Sequence, residues 1–323
     1  MKWLALTFGG ASTHYRVHQY VPLLQELGIE LVCRPAAELS CMMDLAEFDG
    51  ILLQKKLLSW SKRRRVAKTG LPVVFDIDDA TWQPLNKQHH FLTRWRTNHR
   101  LSACLKLCKH GLAANAYIAE HLQRDLDSVE VLPMTLPLRD WAPVPRSQGP
   151  VVVGWAGAPG NHFQLRSIEP ALRELKRVMP EVVVRIFSGV RPDMDLAFDF
   201  VPFDAEQQIA VLHTFSIGLL PLPDTPFNHG KSPIKALQYM AAGIPCVASP
   251  LAGTVEMLGE QGGGVYAQDM DGWTQHLLRL SRDTVLRESM GRQNRARFEA
   301  QFAAEAVAVR LAAVLRQSTH PDS

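Results

Sequence analysis

A glycine-led turn in the second half of the chain has residues suited to binding an anion. It runs Gly230-Lys231-Ser232-Pro233 into a helix-like stretch, where Ser232 suits the N-cap and Pro233 the first helical position. Free backbone N–H groups, the helix dipole and the Lys231 ammonium would together neutralise a diphosphate, and Lys231 would act in catalysis. The predicted diphosphate site consists of Gly230, Lys231, Ser232, Pro233 and Ile234.

Three carboxylates follow a predicted strand, in the stretch Asp76-Ile77-Asp78-Asp79. Their repulsion costs free energy unless cations, hydrogen bonds or helix N-termini compensate it. We interpret Asp78 and Asp79 as catalytic candidates and Asp76 as a contact to an acceptor substrate. Two alternatives stay open: a Mg²⁺ site, because Mg²⁺ prefers such oxygen ligands, and simple caps for a helix that starts near Thr81.

The turn after the first predicted strand carries a further set of polar groups. Arg16 could pair with a phosphate or an acidic acceptor, and His14 could take part in catalysis. The predicted acceptor side therefore includes Gly10, His14 and Arg16, with plain surface exposure as the alternative. His89 and His90 could also transfer protons, but nothing in the sequence fixes their orientation.

Short β-rich runs alternate with helical patterns along the chain, which is typical of βαβ units and parallel sheets. The first series of predicted strands is Lys2 to Phe8, Ile29 to Arg34, Gly50 to Leu53, Val73 to Ile77, Leu112 to Ala114 and Val129 to Leu132. The second series is Val151 to Trp155, Val182 to Phe187, Phe198 to Val201, Ile217 to Leu220, Pro245 to Ala248 and Gly264 to Tyr266.

The proline-rich stretch 133–150 separates the two series, because proline continues neither a helix nor a central strand. We predict two tandem Rossmann-like domains: an acceptor-side domain over 1–142 and a nucleotide-binding domain over 143–300. A helix over 301–323 is expected to pack back toward the first domain.

Open parallel sheets bind ligands beyond the carboxyl ends of their strands. In the second domain this rule selects Gly157, where backbone could approach a ligand, and Ser188. Gln238 lies one to two turns into the helix after the Lys231 turn, within reach of a ribose. The glycine spacing from Gly154 to Gly160 does not match the dinucleotide fingerprint, and no acidic residue is placed for its ribose. An NAD-dependent oxidoreductase is therefore disfavoured.

The stretch Ala241-Ala242-Gly243-Ile244-Pro245-Cys246-Val247 closely resembles the Ala-x-Gly-x-Pro-Val-Val turn of the family 4 (group 1) glycosyltransferases. Segments that look like one bacterial subgroup are Ser12 to Arg16, Val74 to Asp79, Val131 to Pro133, Asp140 to Pro143 and Gly154 to Gly157. The resemblance implies an α/β GT-B fold with two Rossmann-like domains facing a central cleft. It also implies transfer of a sugar from a nucleotide-diphosphate sugar to a hydroxyl of a glycan or lipid-linked acceptor, mostly with retention.

The subgroup builds surface polysaccharides and glycolipids, and the resemblance implies no cofactor and no required metal. Members carry a Glu-x7-Glu signature ahead of the turn, but here Gln238 takes the place of the second glutamate and Gly230 that of the first. Gln238 could still hydrogen-bond a ribose hydroxyl, more weakly than a carboxylate. Met134 replaces an asparagine of the usual pattern. A non-catalytic binding protein and a sugar-nucleotide epimerase on the same fold therefore stay open.

The composition is that of an ordinary globular protein, with 46% hydrophobic and 21% charged residues and a net charge of +3. A basic cluster interleaved with Leu57, Leu58 and Trp60 predicts docking on an anionic membrane, with a solvated face as the alternative. The cluster consists of Lys55, Lys56, Lys62, Arg63, Arg64, Arg65 and Lys68. The small net charge and the lack of a recognition motif argue against nucleic-acid binding.

Neither a signal peptide nor a membrane helix is expected, because the apolar run Trp3 to Phe8 is short and no longer one follows. We expect a cytoplasmic protein, and the basic cluster leaves open an association with the inner face of the cytoplasmic membrane. Five cysteines do not suggest a disulfide framework. Cys104 and Cys108 are read as apolar residues packed on one face of a predicted helix, with a metal site that includes the nearby His110 as the alternative.

Overall fold

The computed structural model describes residues 1–39, 43–83, 91–144, 149–260 and 262–319, and only the backbone of residues 91–94. His89 and His90 lie outside these ranges. The chain folds into two units. The first comprises Met1–Pro137, Thr225–Ser232 and Phe302–Ser323, and the second Leu138–Asp224 and Pro233–Gln301.

Each unit is built on a six-stranded parallel sheet. The strands of the first unit are β1 (Lys2–Thr7), β2 (Glu30–Pro35), β3 (Gly50–Gln54), β4 (Val73–Ile77), β5 (His110–Ala113) and β6 (Val129–Val131). Those of the second are β7 (Val152–Ala156), β8 (Val183–Ser188), β9 (Asp199–Pro202), β10 (Ile217–Leu220), β11 (Cys246–Ala248) and β12 (Gly264–Tyr266). The strand orders are β2-β1-β3-β4-β5-β6 and β12-β11-β10-β7-β8-β9.

Helices connect most of these strands. In chain order they are α1 (Gly10–Thr13), α2 (Tyr20–Glu26), α3 (Trp60–Thr69), α4 (Phe91–Leu105), α5 (Ala116–Leu122), α6 (His162–Ser167), α7 (Glu169–Val178), α8 (Gln208–His213), α9 (Pro226–His229), α10 (Ile234–Ala241), α11 (Ala252–Leu258), α12 (Met270–Arg282), α13 (Thr284–Gln301) and α14 (Ala304–Thr319). A π-helical turn spans His14–His18, and 3₁₀ turns span Ala36–Glu38, Leu138–Trp141 and Pro159–Asn161.

The strand predictions agree with the structure to within two residues at every end. Most of them succeed because the inner strands are buried on both faces, so each inner strand reads as a nearly continuous apolar run. In β4, for example, every residue is buried. The predicted α/β class with two tandem parallel sheets is confirmed.

The core of the first unit depends on the final helix. Val307 and Leu311 of α14 pack with Leu24 of α2 and with Trp3 of β1, all almost fully buried. Burying such side chains stabilises the fold by about 1.5–3 kcal/mol each. The C-terminal segment is therefore an integral layer of the first unit.

The core of the second unit lies between its sheet and helices α7 and α12. Leu172 and Leu175 of α7 and Leu277 of α12 pack with Val184 of β8. These leucines recur at helical spacing, so one face of each helix is apolar. Among the described residues, no helix is long and apolar enough to cross a membrane.

Candidate functional site

The segment that carries Lys231 is anchored to the first unit, to which Thr225–Ser232 belongs. The side-chain amide of Asn115 donates hydrogen bonds to the Gly230 carbonyl and to the Ser232 hydroxyl, each of 3.0 Å. Asn115 is buried, and it lies two residues after the end of β5. The predicted diphosphate loop is therefore held at the carboxyl end of the first sheet.

The predicted N-cap role of Ser232 is wrong. Helix α10 begins at Ile234, Pro233 occupies the N-cap position, and no side chain caps the helix. The Ser232 hydroxyl instead donates to the carbonyl of Ala114 (3.3 Å) while it accepts from Asn115. The Ser232 hydroxyl, which the local pattern assigned to the helix N-terminus, is therefore used in tertiary hydrogen bonds with Ala114 and Asn115.

Lys231 is half-buried, and its surroundings include a predicted catalytic carboxylate. Burial lowers the pKa of Lys231, and the Asp79 carboxylate opposes part of that shift. In the part of the chain that the structure describes, its ammonium forms no hydrogen bond or ion pair. Its charge is therefore balanced only at longer range by Asp79.

Arg16 and Asp76 were predicted to face an acceptor, but in the structure they bind each other and are buried. Both are 2% exposed, and the Arg16 guanidinium bridges the two Asp76 oxygens, with Nε 3.1 and 3.2 Å away. The same guanidinium donates to the carbonyls of Leu132 (2.6 Å) and Pro133 (3.0 Å). Burial raises the pKa of Asp76, and the adjacent Arg16 opposes that rise. The pair ties β4 to the end of β6.

Asp78 and Asp79 share one cation. The Lys55 ammonium lies 3.0 Å from Asp78 Oδ1 and also pairs with Asp79. Burial lowers the pKa of Lys55, but the two carboxylates outweigh it and the net shift is upward. The repulsion anticipated among these carboxylates is thus relieved by cations of the chain itself.

No group of three or more His, Cys, Asp or Glu side chains is arranged to hold a metal ion within the described residues. That finding covers Asp76 to Asp79 and also Cys104 and Cys108, which do not share a helix face as predicted because α4 ends at Leu105. Cys108 donates from its thiol to the Cys104 carbonyl at 3.2 Å, and burial raises the pKa of both thiols. These cysteines behave as packed side chains.

The turn after β1 presents the other acceptor candidates at the surface. Gly9 and Gly10 are exposed and have φ values of 103° and 74°, which side chains with a Cβ rarely adopt. His14 is exposed and meets the ring of Tyr15 edge-on at 5.2 Å between centroids. Gly10 and His14 therefore remain accessible candidates.

In the second unit, Ser188 at the end of β8 has no exposed surface. Its hydroxyl lies 2.9 Å from Nε2 of His162, whose pKa is lowered by burial and by the charge of Arg166. The sequence analysis predicted that Ser188 contacts the sugar donor directly, and its burial conflicts with that prediction. His162 is the partly exposed member of the pair. Gly157 is required by a close approach, since a Cβ there would lie 2.4 Å from the Trp155 ring.

Helix α10 carries a lysine that the sequence reasoning missed. Lys235 donates to Gln238 Oε1 at 2.9 Å, and burial lowers the pKa of Lys235 to about 8. Among the described residues no carboxylate forms an ion pair with it. A cation in the first helical turn is unfavourable to the helix dipole, and that mismatch was the available signal. Gln238, predicted near a ribose, is 1% exposed.

Comparison with known families finds one match in this region. Residues 162–283 match the model described as glycosyl transferases group 1. The matched segment covers somewhat over a third of the chain and includes His162, Ser188, Lys235 and Gln238. Comparison with curated protein sequences finds no significant match.

Solved structures resemble nearly the whole chain. Sucrose-phosphate synthase from Thermosynechococcus elongatus gives a TM-score of 0.73 at 14% identity over 98% of both chains. HepE of Anabaena in complex with UDP-glucose gives 0.71 at 13% identity, over 98% of this chain and 100% of its own. Trehalose 6-phosphate synthase from Burkholderia multivorans gives 0.63 at 14% identity, over 85% and 73%.

Likeness at such low identity establishes the fold, while the match over 162–283 is a match of sequence. Both agree with the resemblance seen in the Ala241 to Val247 turn. The chain therefore has the GT-B fold, and its residues 162–283 match the group 1 glycosyltransferase model.

Proposed function

We propose that the protein transfers a sugar from a nucleotide-diphosphate sugar to a hydroxyl of a glycan or lipid-linked acceptor. The observation that carries the proposal is Lys235, a half-buried ammonium without an ion-pair partner among the described residues, in the first turn of α10. A buried charge requires a counter-charge. A diphosphate at this helix end would supply one, and the helix lies inside the segment that matches group 1 glycosyltransferases.

In the proposed reaction the bond from the anomeric carbon to the diphosphate oxygen breaks, and a bond from that carbon to the acceptor oxygen forms. The acceptor proton passes to the departing phosphate. Lys235 and the first N–H groups of α10 stabilise the charge that develops on the leaving group. We further propose front-face transfer with retention, which the family resemblance supports. Lys231 keeps its predicted role as a phosphate contact, and its own substitution tests that role separately.

Calorimetry with UDP-, GDP- and ADP-sugars tests donor binding, and release of nucleoside diphosphate with p-nitrophenyl glycosides as acceptors tests transfer. Lys235→Ala should weaken donor binding at least about tenfold. Lys176→Ala is the matched control, because Lys176 binds only carbonyl groups, those of Pro180 and Val182, on the same unit. No binding of any sugar nucleotide would favour the non-catalytic alternative, and donor conversion without acceptor would favour the epimerase.

We also propose that helix α3 contacts an anionic membrane, through fewer residues than the sequence suggested. Lys55 is held by Asp78 and Asp79, and three other cations bind carbonyls: Lys62 those of Ala36 and Ala37, Arg63 that of Leu58, and Arg65 that of Met43. The remaining exposed cations are Lys56, Arg64 and Lys68. Trp60 is 66% exposed, with the Arg64 guanidinium 5.4 Å from its ring. α3 contains no acidic residue.

Helix α4 extends this surface. Strands β3, β4 and β5 are neighbours in that order, and right-handed crossovers place α3 and α4 on the same face of the sheet. Arg100 of α4 donates to the Leu57 carbonyl at 2.9 Å, close to the start of α3. Trp95 is 58% exposed and stacks on His99. Exposed tryptophans beside cations suit the headgroup region of an anionic bilayer.

A further inference from the structure

Gln54, the last residue of β3, is a fully buried amide at the base of the exposed glycine turn. Its Oε1 accepts from the backbone N–H of Phe8 (2.8 Å) and from the Thr13 hydroxyl (2.9 Å). Its Nε2 donates to the Ser12 hydroxyl at 3.0 Å. One side chain thus binds the beginning and the end of the turn from Phe8 to Thr13.

These bonds have a fixed direction. Because a backbone N–H can only donate, Oε1 of Gln54 must face Phe8, and Nε2 must face Ser12. The Ser12 hydroxyl accepts a hydrogen bond from Gln54 and donates one to Asp78 Oδ2, 2.6 Å away. Asp78 in turn pairs with Lys55. A continuous chain of polar contacts runs from the turn to this ion pair.

The tip of the turn is open on the side where a side chain would project. No atom of the described residues lies within 4 Å of the positions that a Cβ would take on Gly9 and Gly10, and both glycines have left-handed φ values. The N–H of Gly9 donates to the Thr13 hydroxyl at 2.8 Å, which itself depends on Gln54. The conformation at Gly10 therefore rests on the amide beneath it.

We propose that Gln54 is a positioning residue that fixes the Phe8 to Thr13 turn and thereby sets the affinity for the acceptor. Only the assignment of the acceptor to this turn rests on the proposed function. Glutamine fits because it offers an acceptor and a donor at once. Glutamate would lose the donation to Ser12 and add a negative charge beside Asp78, and methionine would fill the space without either bond.

Hydrogen exchange on the whole chain tests the positioning directly. In Gln54→Met, exchange of the backbone amides of residues 8–14 should rise on the order of tenfold, since local opening governs exchange. Thr135→Val is the matched control: Thr135 is also fully buried in the first unit and loses its bonds with Gln19 and Tyr20. In Thr135→Val, the backbone amides of residues 8–14 should exchange at the same rates as in the parent protein.

Kinetics provides the second measurement. With a p-nitrophenyl glycoside as acceptor, Gln54→Met should raise the acceptor KM about tenfold, as expected for a displaced substrate-positioning group. The donor Kd from calorimetry should stay within about twofold. Ser12→Ala cuts the same chain from a half-buried position and serves if Gln54→Met does not fold. It should raise exchange at residues 8–14 and the acceptor KM in the same direction.

Unchanged exchange at residues 8–14, or a rise equal to that of Thr135→Val, would overturn the positioning role. So would a loss of donor affinity as large as the loss of acceptor affinity. Failure of the proposed function appears elsewhere, as absence of sugar-nucleotide binding by the parent protein. In that case the exchange result still decides whether Gln54 holds the turn.

Discussion

Asn115 donates a 3.0 Å hydrogen bond from its side-chain amide to the carbonyl of Gly230, 115 residues further along the chain. The same side chain caps α5, since its Oδ1 accepts from the Ile118 N–H at 3.0 Å. One residue therefore starts a helix and holds the Lys231 segment. The two roles use opposite ends of the amide, so substitutions can separate them.

Asn115→Asp should keep the cap and release the segment, because a carboxylate accepts from Ile118 but repels the Gly230 carbonyl. Asn115→Ala should lose both, at a cost of about 1–2 kcal/mol in the free energy of unfolding for the cap alone. Limited proteolysis between residues 225 and 232, read beside urea denaturation, measures the two effects. Equal protection of this segment in the Asp variant and the parent would contradict the anchoring role.

Lys231→Ala should reduce turnover at least about tenfold without unfolding the protein, if it removes one electrostatic contact to the leaving diphosphate. Turnover is measured as nucleoside diphosphate release, with circular dichroism as the check on folding. Lys68→Ala, an exposed lysine on α3, provides the comparison. Near-normal turnover would eliminate the assigned role, and Lys231 would then serve only to balance Asp79.

Donor binding should weaken as pH rises through the lowered pKa of Lys235. That pKa is about 8 without ligand, so the lysine loses its positive charge above this value and attracts a diphosphate less. Lys235→Arg should remove this dependence, since arginine stays protonated. Calorimetric Kd values from about pH 7 to about pH 9.5, bracketing the shift from the ordinary lysine value, provide the test. A parallel pH dependence in both proteins would count against Lys235.

The same shift has a consequence for the stability of the unliganded protein. Between about pH 8 and the ordinary lysine pKa the unfolded chain holds a proton that the folded protein has lost. The free energy of unfolding contributed by Lys235 therefore rises with pH across that interval. Lys235→Met lacks this contribution, and urea denaturation at several pH values compares the two.

Breaking the buried pair of Arg16 and Asp76 should destabilise the first unit strongly. Arg16→Met leaves a buried carboxylate without its cation, which costs about 3–5 kcal/mol. The double variant Arg16→Met, Asp76→Leu removes both charges and should recover much of that loss. Denaturant unfolding measures both proteins. A double variant as unstable as Arg16→Met would show that the Leu132 and Pro133 contacts of the guanidinium dominate.

Membrane binding should depend on Trp60 and Arg64. Trp60→Ser with Arg64→Glu should reduce co-sedimentation with phosphatidylserine-containing vesicles about tenfold, since each basic residue near an anionic surface contributes about 1 kcal/mol. Arg292→Glu, a reversal at an exposed arginine of α13, is the control. Binding to pure phosphatidylcholine should be weak throughout. Equal binding by the double variant and the control would refute the docking surface.

The fold was predictable because a buried parallel strand appears in the sequence as a short, nearly continuous apolar run. The Pro233 and Gly243 ends of α10 are equally local, and Gly243 has the left-handed φ of 64° expected after a helix. Side-chain partners are another matter. Arg16 meets Asp76 across 60 residues and Ser232 meets Ala114 across 118. No local pattern distinguishes such a pairing from an open polar group.

Lys235 illustrates the intermediate case. Its position in a first helical turn can be read from the sequence, but its burial and its bond to Gln238 depend on the packed structure. Ser188 shows the reverse, because its position at a strand end suggested a ligand contact and packing against His162 removed it. The sequence locates the edge of the sheet where such residues gather, and packing selects among them.

Because α14 completes the core of the first unit, residues 1–137 and the α14 segment form one folding unit. A product truncated after residue 301 would leave Trp3 and its neighbours facing water, and the ribosome must synthesise α14 before this hydrophobic surface is covered. We therefore predict that the first unit completes its folding late, after α14 has been synthesised. Truncation before α14 should yield aggregated protein instead of a shorter active one.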